Sequence, residues 1–401
     1  MKLSIEPRPL AGEIAAIPSK SAAHRLLICS ALADSETEIY CPALSKDIEA
    51  TADCLRALGA DIEYSGGTFR VRPIEEVTEN ARLDCGESGS TLRFLLPVVC
   101  ALGGGAEIKM HGRLPQRPLS PLWEELEKHG ALLSRPEESI IKVSGKILPG
   151  DYSIRADISS QYISGLLFAL PLLDGESRLS LEGNIESRGY IDMTCQAQEE
   201  FGTKPEFDGK NFTVDRDAFY NSPGNVKVEC DWSNAAFWIA AAVLSNCRLE
   251  VYGLSHNSQQ GDKAVIELIK RIQAGNALID VKDVPDLVPV LSVVAAVCPG
   301  KTEFVNAGRL RIKESDRIAS VCRMLSALGA NCEEKAEGLA VYGGNLRGGI
   351  VDGENDHRIV MSAAVAAIAC REPVTILGAE AVEKSYPTFF EDYKKLGGKI
   401  L

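Results

Sequence analysis

Hydrophobic and polar positions along this chain follow a pattern that recurs six times. A short polar segment leads directly into an almost wholly apolar run of helical length, as in the stretch from Ser19 to Ala33. Each apolar run predicts a buried α-helix, and its polar leader predicts the N-terminal cap and the first turn. Successive leaders start about 70 residues apart, except for one interval of 54. The leaders begin at Ser19, Gly89, Ser159, Asp231, Pro285 and Asp356.

A second, amphipathic helix is predicted roughly 40 residues after each start. Each of these helices ends in a glycine, the usual left-handed helix stop, and an alternating stretch typical of β-strands follows it. The six glycines are Gly59, Gly130, Gly202, Gly275, Gly329 and Gly397. The shortened interval falls between the fourth and fifth members of both series, so coincidence does not explain it. We therefore predict an α/β fold of six repeats, the fourth of which has lost about one short turn and strand.

These repeats also predict how the chain divides into domains. One repeat cannot cover a helix that is apolar on all sides, so several repeats must pack together. Six repeats divide as three plus three, which predicts two similar α/β lobes with the apolar helices innermost. We expect a first lobe of residues 14–224 and a second lobe of residues 1–13 plus 225–401. The alternative is a single doubly wound sheet in which the spacing is accidental.

Composition and charge exclude several classes of protein. The chain has 401 residues, of which 45% are hydrophobic and 25% charged, as in soluble globular proteins. A net charge of −13 argues against nucleic acid as the partner, and no apolar run is long enough to predict a membrane helix. Twelve scattered cysteines without a C-x-x-C pair indicate reduced thiols in the cytoplasm. Five histidines without paired spacing give no sign of a metal site, and we expect none.

Candidate chemistry lies at the helix starts. The first apolar run begins with Lys20, Ser21 and Arg25, although a cation in the first turn opposes the helix dipole by about 0.3–1 kcal/mol. Related repeats would place their helix N-termini at a common end, and several such ends facing a cleft would bind an anion. We therefore predict an anion site. The alternative is that Lys20 and Arg25 extend to water.

Three other segments carry candidate groups, each with a simpler interpretation beside it. Arg117 lies in a proline-rich loop that could equally be plain surface, and the charged run from Arg309 to Arg317 could be a salt-bridged helix face. Lys384 could be an ordinary solvated lysine. Asp286 precedes an apolar run, where a carboxylate is either an N-cap or a base with a tuned pKa, and the sequence does not separate the two.

Several motifs together carry a resemblance to a known family. The segments "SKSAAHR", "GSTLRFLLP", "LPQRPL", "SSQYISGLL", "RIKESDRI", "NDHRIVMSAAVAA" and "EKSYPTFF" occur in the order found in the 5-enolpyruvylshikimate-3-phosphate synthases, which are enolpyruvyl transferases. The resemblance covers essentially the whole chain. It implies an inside-out α/β barrel in two lobes of three repeats, with the active site in the cleft between lobes that close on substrate.

The resemblance also implies an activity. The enolpyruvyl group of phosphoenolpyruvate would be transferred to the 5-hydroxyl of shikimate 3-phosphate by addition and elimination, with release of phosphate, in aromatic amino acid biosynthesis. It implies no cofactor and no partner beyond these two substrates, and we expect a monomer.

Site residues follow from the resemblance at the matching positions. Asp286 matches the acceptor of the 5-hydroxyl proton, and Glu314 and Lys20 match the groups that move protons at C3 and at the leaving phosphate. The implied contacts to shikimate 3-phosphate are Lys20, Ser21, Arg25, Ser159, Ser160, Gln161, Ser187, Asp286 and Lys313. The implied contacts to phosphoenolpyruvate are Lys20, Gly89, Arg117, Gln161, Arg317, Arg358 and Lys384.

Two departures from the family pattern and two alternatives stay open. Glu87 adds an acid near the phosphoenolpyruvate positions, and Arg309 stands where some members have an asparagine. One alternative is a UDP-N-acetylglucosamine enolpyruvyl transferase, although its K-N-G start and loop cysteine are absent here. The other is a non-catalytic anion-binding protein of the same fold, which would not need Asp286 and Glu314 among its anion-binding groups.

Overall fold

The computed structural model describes all 401 residues as a mixed α/β fold of 22 strands and twelve α-helices. None of the helices combines the length and the apolar character that crossing a bilayer requires. The strands are β1 (Lys2–Glu6), β2 (Gly12–Ala15), β3 (Thr37–Tyr40), β4 (Asp61–Ser65), β5 (Thr68–Arg72), β6 (Ala81–Asp84), β7 (Ala106–Lys109), β8 (Ala131–Glu137), β9 (Ile140–Gly145), β10 (Asp151–Arg155), β11 (Ser177–Glu182), β12 (Glu206–Phe207), β13 (Asn211–Val214), β14 (Asn225–Lys227), β15 (Leu249–Tyr252), β16 (Leu278–Asp280), β17 (Lys301–Val305), β18 (Asn331–Lys335), β19 (Gly338–Tyr342), β20 (Gly349–Asp352), β21 (Val374–Leu377) and β22 (Lys399–Ile400). The helices are α1 (Lys20–Ala31), α2 (Lys46–Leu58), α3 (Gly89–Leu102), α4 (Leu122–Lys128), α5 (Ser160–Ala169), α6 (Arg188–Glu200), α7 (Trp232–Ser245), α8 (Val265–Gln273), α9 (Val288–Val297), α10 (Arg317–Ala327), α11 (His357–Ala366) and α12 (Phe389–Lys395).

The strands form six sheets, five of which have four strands in the same arrangement. A parallel pair comes first, and two antiparallel strands complete each sheet. The orders are β14-β3-β5-β4, β6-β7-β9-β8, β10-β11-β13-β12, β16-β17-β19-β18 and β20-β21-β1-β22. The sixth sheet has only the parallel pair β15-β2 and belongs to the fourth repeat. The loss is thus in the repeat where it was predicted, but it amounts to both antiparallel strands rather than to one short turn and strand.

The chain divides into two compact units, each described by itself below. The central unit is Pro18–Glu229, and the terminal unit combines Met1–Ile17 with Cys230–Leu401. Both crossings lie a few residues later than the expected boundaries of 13/14 and 224/225. The reason is an exchange of strands, because β2 precedes α1 but pairs with β15, whereas β14 precedes α7 but pairs with β3. The chain therefore crosses after each of these strands, whereas the expected boundaries fell inside β2 and just before β14.

The helices alternate between two kinds along the chain. The odd-numbered helices are the apolar ones, and in α9 and α11 nearly every side chain is buried. The even-numbered helices bury one face and expose the other. All six predicted glycine stops have a positive φ, from 76° to 118°, which a residue without a Cβ adopts at low cost. The prediction of six helix pairs is therefore confirmed.

Candidate functional site

Three buried helices of the central unit start at the predicted polar leaders. Serine side chains cap α1, α3 and α5 and accept hydrogen bonds of 3.2–3.3 Å from backbone N–H groups of the first turn. The capping residues are Ser19, Ser88 and Ser159. Each helix keeps further N–H groups at its start and the positive end of its dipole, which favours negative charge nearby.

Arg25 is buried in α1, with 2% of its surface exposed. Its guanidinium donates to the Thr194 hydroxyl at 2.9 Å and to the carbonyls of Ser21 and Tyr190 at 2.7 Å each, and it lies 5.0 Å from the centre of the Phe94 ring. None of these groups is negatively charged. Burial lowers the pKa of Arg25 to about 10. The alternative in which Arg25 extends to water is therefore wrong.

Lys20 stands in the first turn of α1 and forms an ion pair with Asp47 of α2 at 2.6 Å. Both side chains are largely buried, at 16% and 13% exposed. Asp47 itself lies in the first turn of α2, where its charge suits the helix dipole. The structure thus places Lys20 where the sequence expected it, but beside an acid that the sequence analysis did not connect to it.

The start of α3 brings two arginines against Gly89. A methyl group at Gly89 would lie 2.6 Å from an Nη1 atom of both Arg93 and Arg117, so only a glycine leaves room for the two guanidinium groups. Arg93 is nearly fully buried and donates to the Gln161 side chain at 3.4 Å and to the Pro118 carbonyl at 3.1 Å. Two like charges this close together favour an anion beside them.

The start of α5 joins this group. Gln161 donates from its amide to the Ser90 hydroxyl at 2.9 Å and so lies beside the first turn of α3. The two helices can approach closely because Gly165 has no side chain. A Cβ atom at this position would collide with the Arg93 carbonyl. Ser160 is buried beside Gln161, and Ser187 precedes α6 with a left-handed backbone (φ 55°). A non-glycine residue in that conformation is strained by about 1–3 kcal/mol, a cost found mainly at functional positions.

In the terminal unit, the site residues converge on Asp286. Its carboxylate accepts from Arg317 Nη1 at 2.8 Å and from Arg358 Nη2 at 3.0 Å, and the ammonium of Lys313 lies 3.8 Å away. Asp286 lies in a short 3-10 turn before α9 and caps no helix. Of the two interpretations left open for this residue, the N-cap is wrong.

The surrounding charges control the pKa of Asp286. Burial by itself would raise that pKa, but the positive charges around the carboxylate outweigh it. Arg358 contributes most, followed by Lys313 and Arg317, and the pKa is held well below its ordinary value. Asp286 is therefore a weak base while these cations remain in contact with it.

Arg317 is the most enclosed of these cations, with 1% of its side chain exposed. Besides Asp286, it donates to Asp356 at 2.8 Å and to Glu314 at 2.6 Å. Asp356 also caps α11, which places Arg358 in the first turn of that helix. Three acids thus hold one arginine. Its guanidinium links the start of α10 to the turn before α9 and to the cap of α11.

The remaining site candidate of the terminal unit is Lys384. It is 8% exposed and donates to the Asn355 carbonyl at 2.6 Å, next to the Asp356 cap, so the simple interpretation as a solvated lysine is wrong. Asn355 is held in a left-handed conformation (φ 53°).

The charged run before α10 contains both exposed and buried side chains. Arg311 forms surface ion pairs with Asp316 and Glu334, as the simpler interpretation expected, whereas Arg317 is buried.

A profile of the family described as EPSP synthase (3-phosphoshikimate 1-carboxyvinyltransferase) matches residues 5–393 of this chain. The chain belongs to the EPSP synthase family. The 3-phosphoshikimate 1-carboxyvinyltransferase of Clostridium botulinum (strain Eklund 17B / Type B) is 38% identical to it over 423 residues, covering 99% of this chain and 97% of the relative. That of Clostridium acetobutylicum is 39% identical over 420 residues, covering 99% and 98%.

Solved structures agree on the fold of the family. The EPSP synthase of Acinetobacter baumannii superposes with a TM-score of 0.82 at 23% identity, over 100% of this chain and 99% of that one. The mixed α/β fold predicted from the repeats is therefore confirmed, and the family predicted from the motifs is confirmed as well.

Some contacts of these clusters escaped the sequence analysis. Asp47 reads as an ordinary acid of a first helical turn, and nothing in its surroundings in the sequence signals the ion pair with Lys20. Ser233, which accepts from Arg358 at 3.0 Å, is the third residue of the leader of α7, and that position was the one available signal. Tyr162, whose hydroxyl donates to the Pro118 carbonyl at 2.6 Å, reads as a core residue and gave no signal at all.

Proposed function

We propose that this chain transfers the enolpyruvyl group of phosphoenolpyruvate to the 5-hydroxyl of shikimate 3-phosphate and releases phosphate. The observation that carries the proposal is the Asp286 carboxylate in direct contact with Arg317 and Arg358. A base that has to act between anionic substrates needs cations of this kind around it. Family membership, and relatives at 38–39% identity that bear the name of this activity, support the same conclusion.

Shikimate 3-phosphate is assigned to residues at the starts of α1 and α5 and to Ser187, together with Asp286 and Lys313. Arg25 supports the assignment because a buried guanidinium whose partners are all neutral gains from a phosphate nearby. A phosphate would also stabilise the charge of Lys20, since it could replace or join Asp47 as the counter-ion.

Phosphoenolpyruvate is assigned to Gly89, Arg117 and Gln161 of the central unit and to Arg317, Arg358 and Lys384 of the terminal unit, with Lys20 touching both substrates. The close guanidinium groups at Gly89 support the assignment because a carboxylate or phosphate would relieve their repulsion. We propose that the residues of both units act on the same pair of substrates.

The chemistry follows as an addition and an elimination. Asp286 accepts the proton of the 5-hydroxyl while the hydroxyl oxygen attacks C2 of phosphoenolpyruvate. Glu314 or Lys20 protonates C3. Phosphate then leaves, C3 loses a proton, and the cations stabilise the negative charge on the departing group. Asp286 can take up its proton more readily once substrate anions draw Arg317 and Arg358 away from it, because those cations hold its pKa low.

The internal arrangement of each unit, the oligomeric state and the cellular location are part of the same proposal. We place the buried helices at the centre of an inside-out barrel of three repeats in each unit, and we expect a monomer that works in the cytoplasm. The twelve cysteines are free thiols, which supports a reducing compartment.

Phosphate release with both substrates, followed by mass spectrometry of the organic product, tests the activity. We expect release only when shikimate 3-phosphate and phosphoenolpyruvate are both present. Release with UDP-N-acetylglucosamine as the acceptor would instead favour the sister activity. Binding of shikimate 3-phosphate without any release would favour a non-catalytic anion-binding protein.

A further inference from the structure

The loop that carries Arg117 lacks packing on one side. A cavity of about 380 Å³ lies against it, lined by loop residues from Pro115 to Ser120 and by Trp123 and Arg135. Leu114 and Leu119, near the two ends of this segment, are buried in the core, whereas Arg117 and Pro118 between them are only partly buried. The position of Arg117 therefore depends on specific hydrogen bonds as well as on the packing of these two leucines.

Two hydrogen bonds hold this loop at the Pro118 carbonyl. The Tyr162 hydroxyl donates to it at 2.6 Å, and Arg93 Nη2 donates to it at 3.1 Å. Tyr162 is 1% exposed on α5, and Arg93 is 3% exposed on α3. The acceptor is thus tied to the two helices whose starts carry Gln161 and Gly89.

We propose that Tyr162 is a positioning residue, which fixes Arg117 for phosphoenolpyruvate through the Pro118 carbonyl. The inference rests on the proposed function, which assigns Arg117 to that substrate. Pro118 has a fixed φ, so a bond to its carbonyl also restrains the adjoining Arg117. On its other side, the Arg117 N–H donates to the Leu114 carbonyl at 3.2 Å. The backbone of Arg117 is therefore held from both directions.

Tyr162 contributes the shorter of the two bonds and makes it from a rigid position. Its ring lies 5.9 Å from the Arg93 guanidinium, and α5 is locked against α3 by the close approach at Gly165. Without the hydroxyl, Arg93 alone would hold the carbonyl, and that same guanidinium is shared with Gly89 and Gln161. The loop would then sample other positions, and Arg117 would spend less time against Gly89.

Tyr162→Phe tests the inference, with Tyr152→Phe as the matched control. Tyr152 is also 1% exposed, and its hydroxyl also donates to a loop carbonyl, that of Leu148, at 2.6 Å. We expect Tyr162→Phe to raise the KM for phosphoenolpyruvate about 5–10-fold, the size of one buried hydrogen bond, and to leave kcat and the KM for shikimate 3-phosphate within about twofold. Tyr152→Phe should change none of the three.

A double-mutant cycle separates positioning from general destabilisation. In an Arg117→Lys background, Tyr162→Phe should raise the KM for phosphoenolpyruvate no further, because the side chain that it positions is already altered. Pro118→Gly, which keeps the carbonyl but frees φ, should raise the same KM and serves if Tyr162→Phe does not fold.

Each result decides between the two proposals. If Arg117→Lys raises the KM for phosphoenolpyruvate while Tyr162→Phe and Pro118→Gly do not, the inference about Tyr162 is overturned and the proposed function stands. Equal losses in both KM values and in kcat would also overturn it, because they would indicate a merely structural role. If Arg117→Lys leaves that KM unchanged, the assignment of Arg117 in the proposed function fails.

Discussion

Replacing Asp286 by asparagine should separate catalysis from binding. The substitution keeps the shape of the side chain and removes its charge and basicity. If Asp286 accepts the 5-hydroxyl proton, turnover should fall by about 10²–10⁴-fold, the usual contribution of a positioned general base. Anion binding should move in the opposite direction, because Asp286 competes with a bound anion for Arg317 and Arg358.

The ion pairs around Asp286 determine how much the substitution changes the stability of the protein and its affinity for anions. Arg317 and Arg358 donate to it at 2.8 and 3.0 Å, and their side chains are 1% and 5% exposed. Removing one partner of a buried ion pair costs about 3–5 kcal/mol, because the other charge is left without compensation. Asparagine still accepts hydrogen bonds, so we expect a destabilisation of about 3 kcal/mol. If about 1.4 kcal/mol of that cost is recovered on binding, phosphoenolpyruvate binds about tenfold more tightly.

The assay measures binding and turnover on the same folded protein. Phosphoenolpyruvate and, separately, inorganic phosphate are titrated calorimetrically without the second substrate, so that no turnover occurs, and kcat is then measured with both substrates. Asp280→Asn, at an exposed acid of the same unit, is the control and should change neither quantity. A kcat within tenfold of the wild type would refute Asp286 as the base. Weaker anion binding would refute the competition for the two arginines.

Four further substitutions test other parts of the account. Gly89→Ala should raise the KM for phosphoenolpyruvate much more than that for shikimate 3-phosphate, because a methyl group there displaces Arg117, and equal changes in steady-state kinetics would argue against this. Burial, and then the charge of Lys20, hold the pKa of His24 well below 6.5, so the unfolded chain binds a proton below that pH that the folded chain does not. Stability should therefore be complete above the ordinary histidine pKa and fall by up to about 1.4 kcal/mol per pH unit below it, and His24→Gln should reduce this loss in urea unfolding; an identical pH dependence would contradict it. Lys20→Met and Glu314→Gln should each lower kcat by at least about tenfold without unfolding the chain, and a normal kcat in both would show the proton-transfer assignments to be wrong.

The sequence predicted the repeated elements because their signals are local. An apolar run with a polar cap specifies a buried helix, and a glycine such as Gly59 specifies where an amphipathic helix stops. The exchange of β2 and β14 escaped prediction, since a strand carries no mark of which distant strand it pairs with. The expected domain boundaries were off by a few residues for that reason alone.

The candidate site divides in the same way. Arg25 is recognisable as a cation at the start of an apolar run and Arg317 as part of a charged run, but most of their partners come from segments far away in the sequence. Arg25 is held by carbonyls and a hydroxyl, whereas Arg317 is held by three acids, of which only Glu314 is close to it in the sequence. Asp286 could be read as a cap or a base, and only its contacts with two arginines removed the first interpretation.

A crystal structure of Asp286→Asn with shikimate 3-phosphate and phosphoenolpyruvate bound together would test the central claim most directly. We predict that Arg25 contacts shikimate 3-phosphate and that Arg117, Arg317 and Arg358 contact phosphoenolpyruvate. If both ligands bind away from these four side chains, the account is contradicted, even if the wild-type protein is fully active.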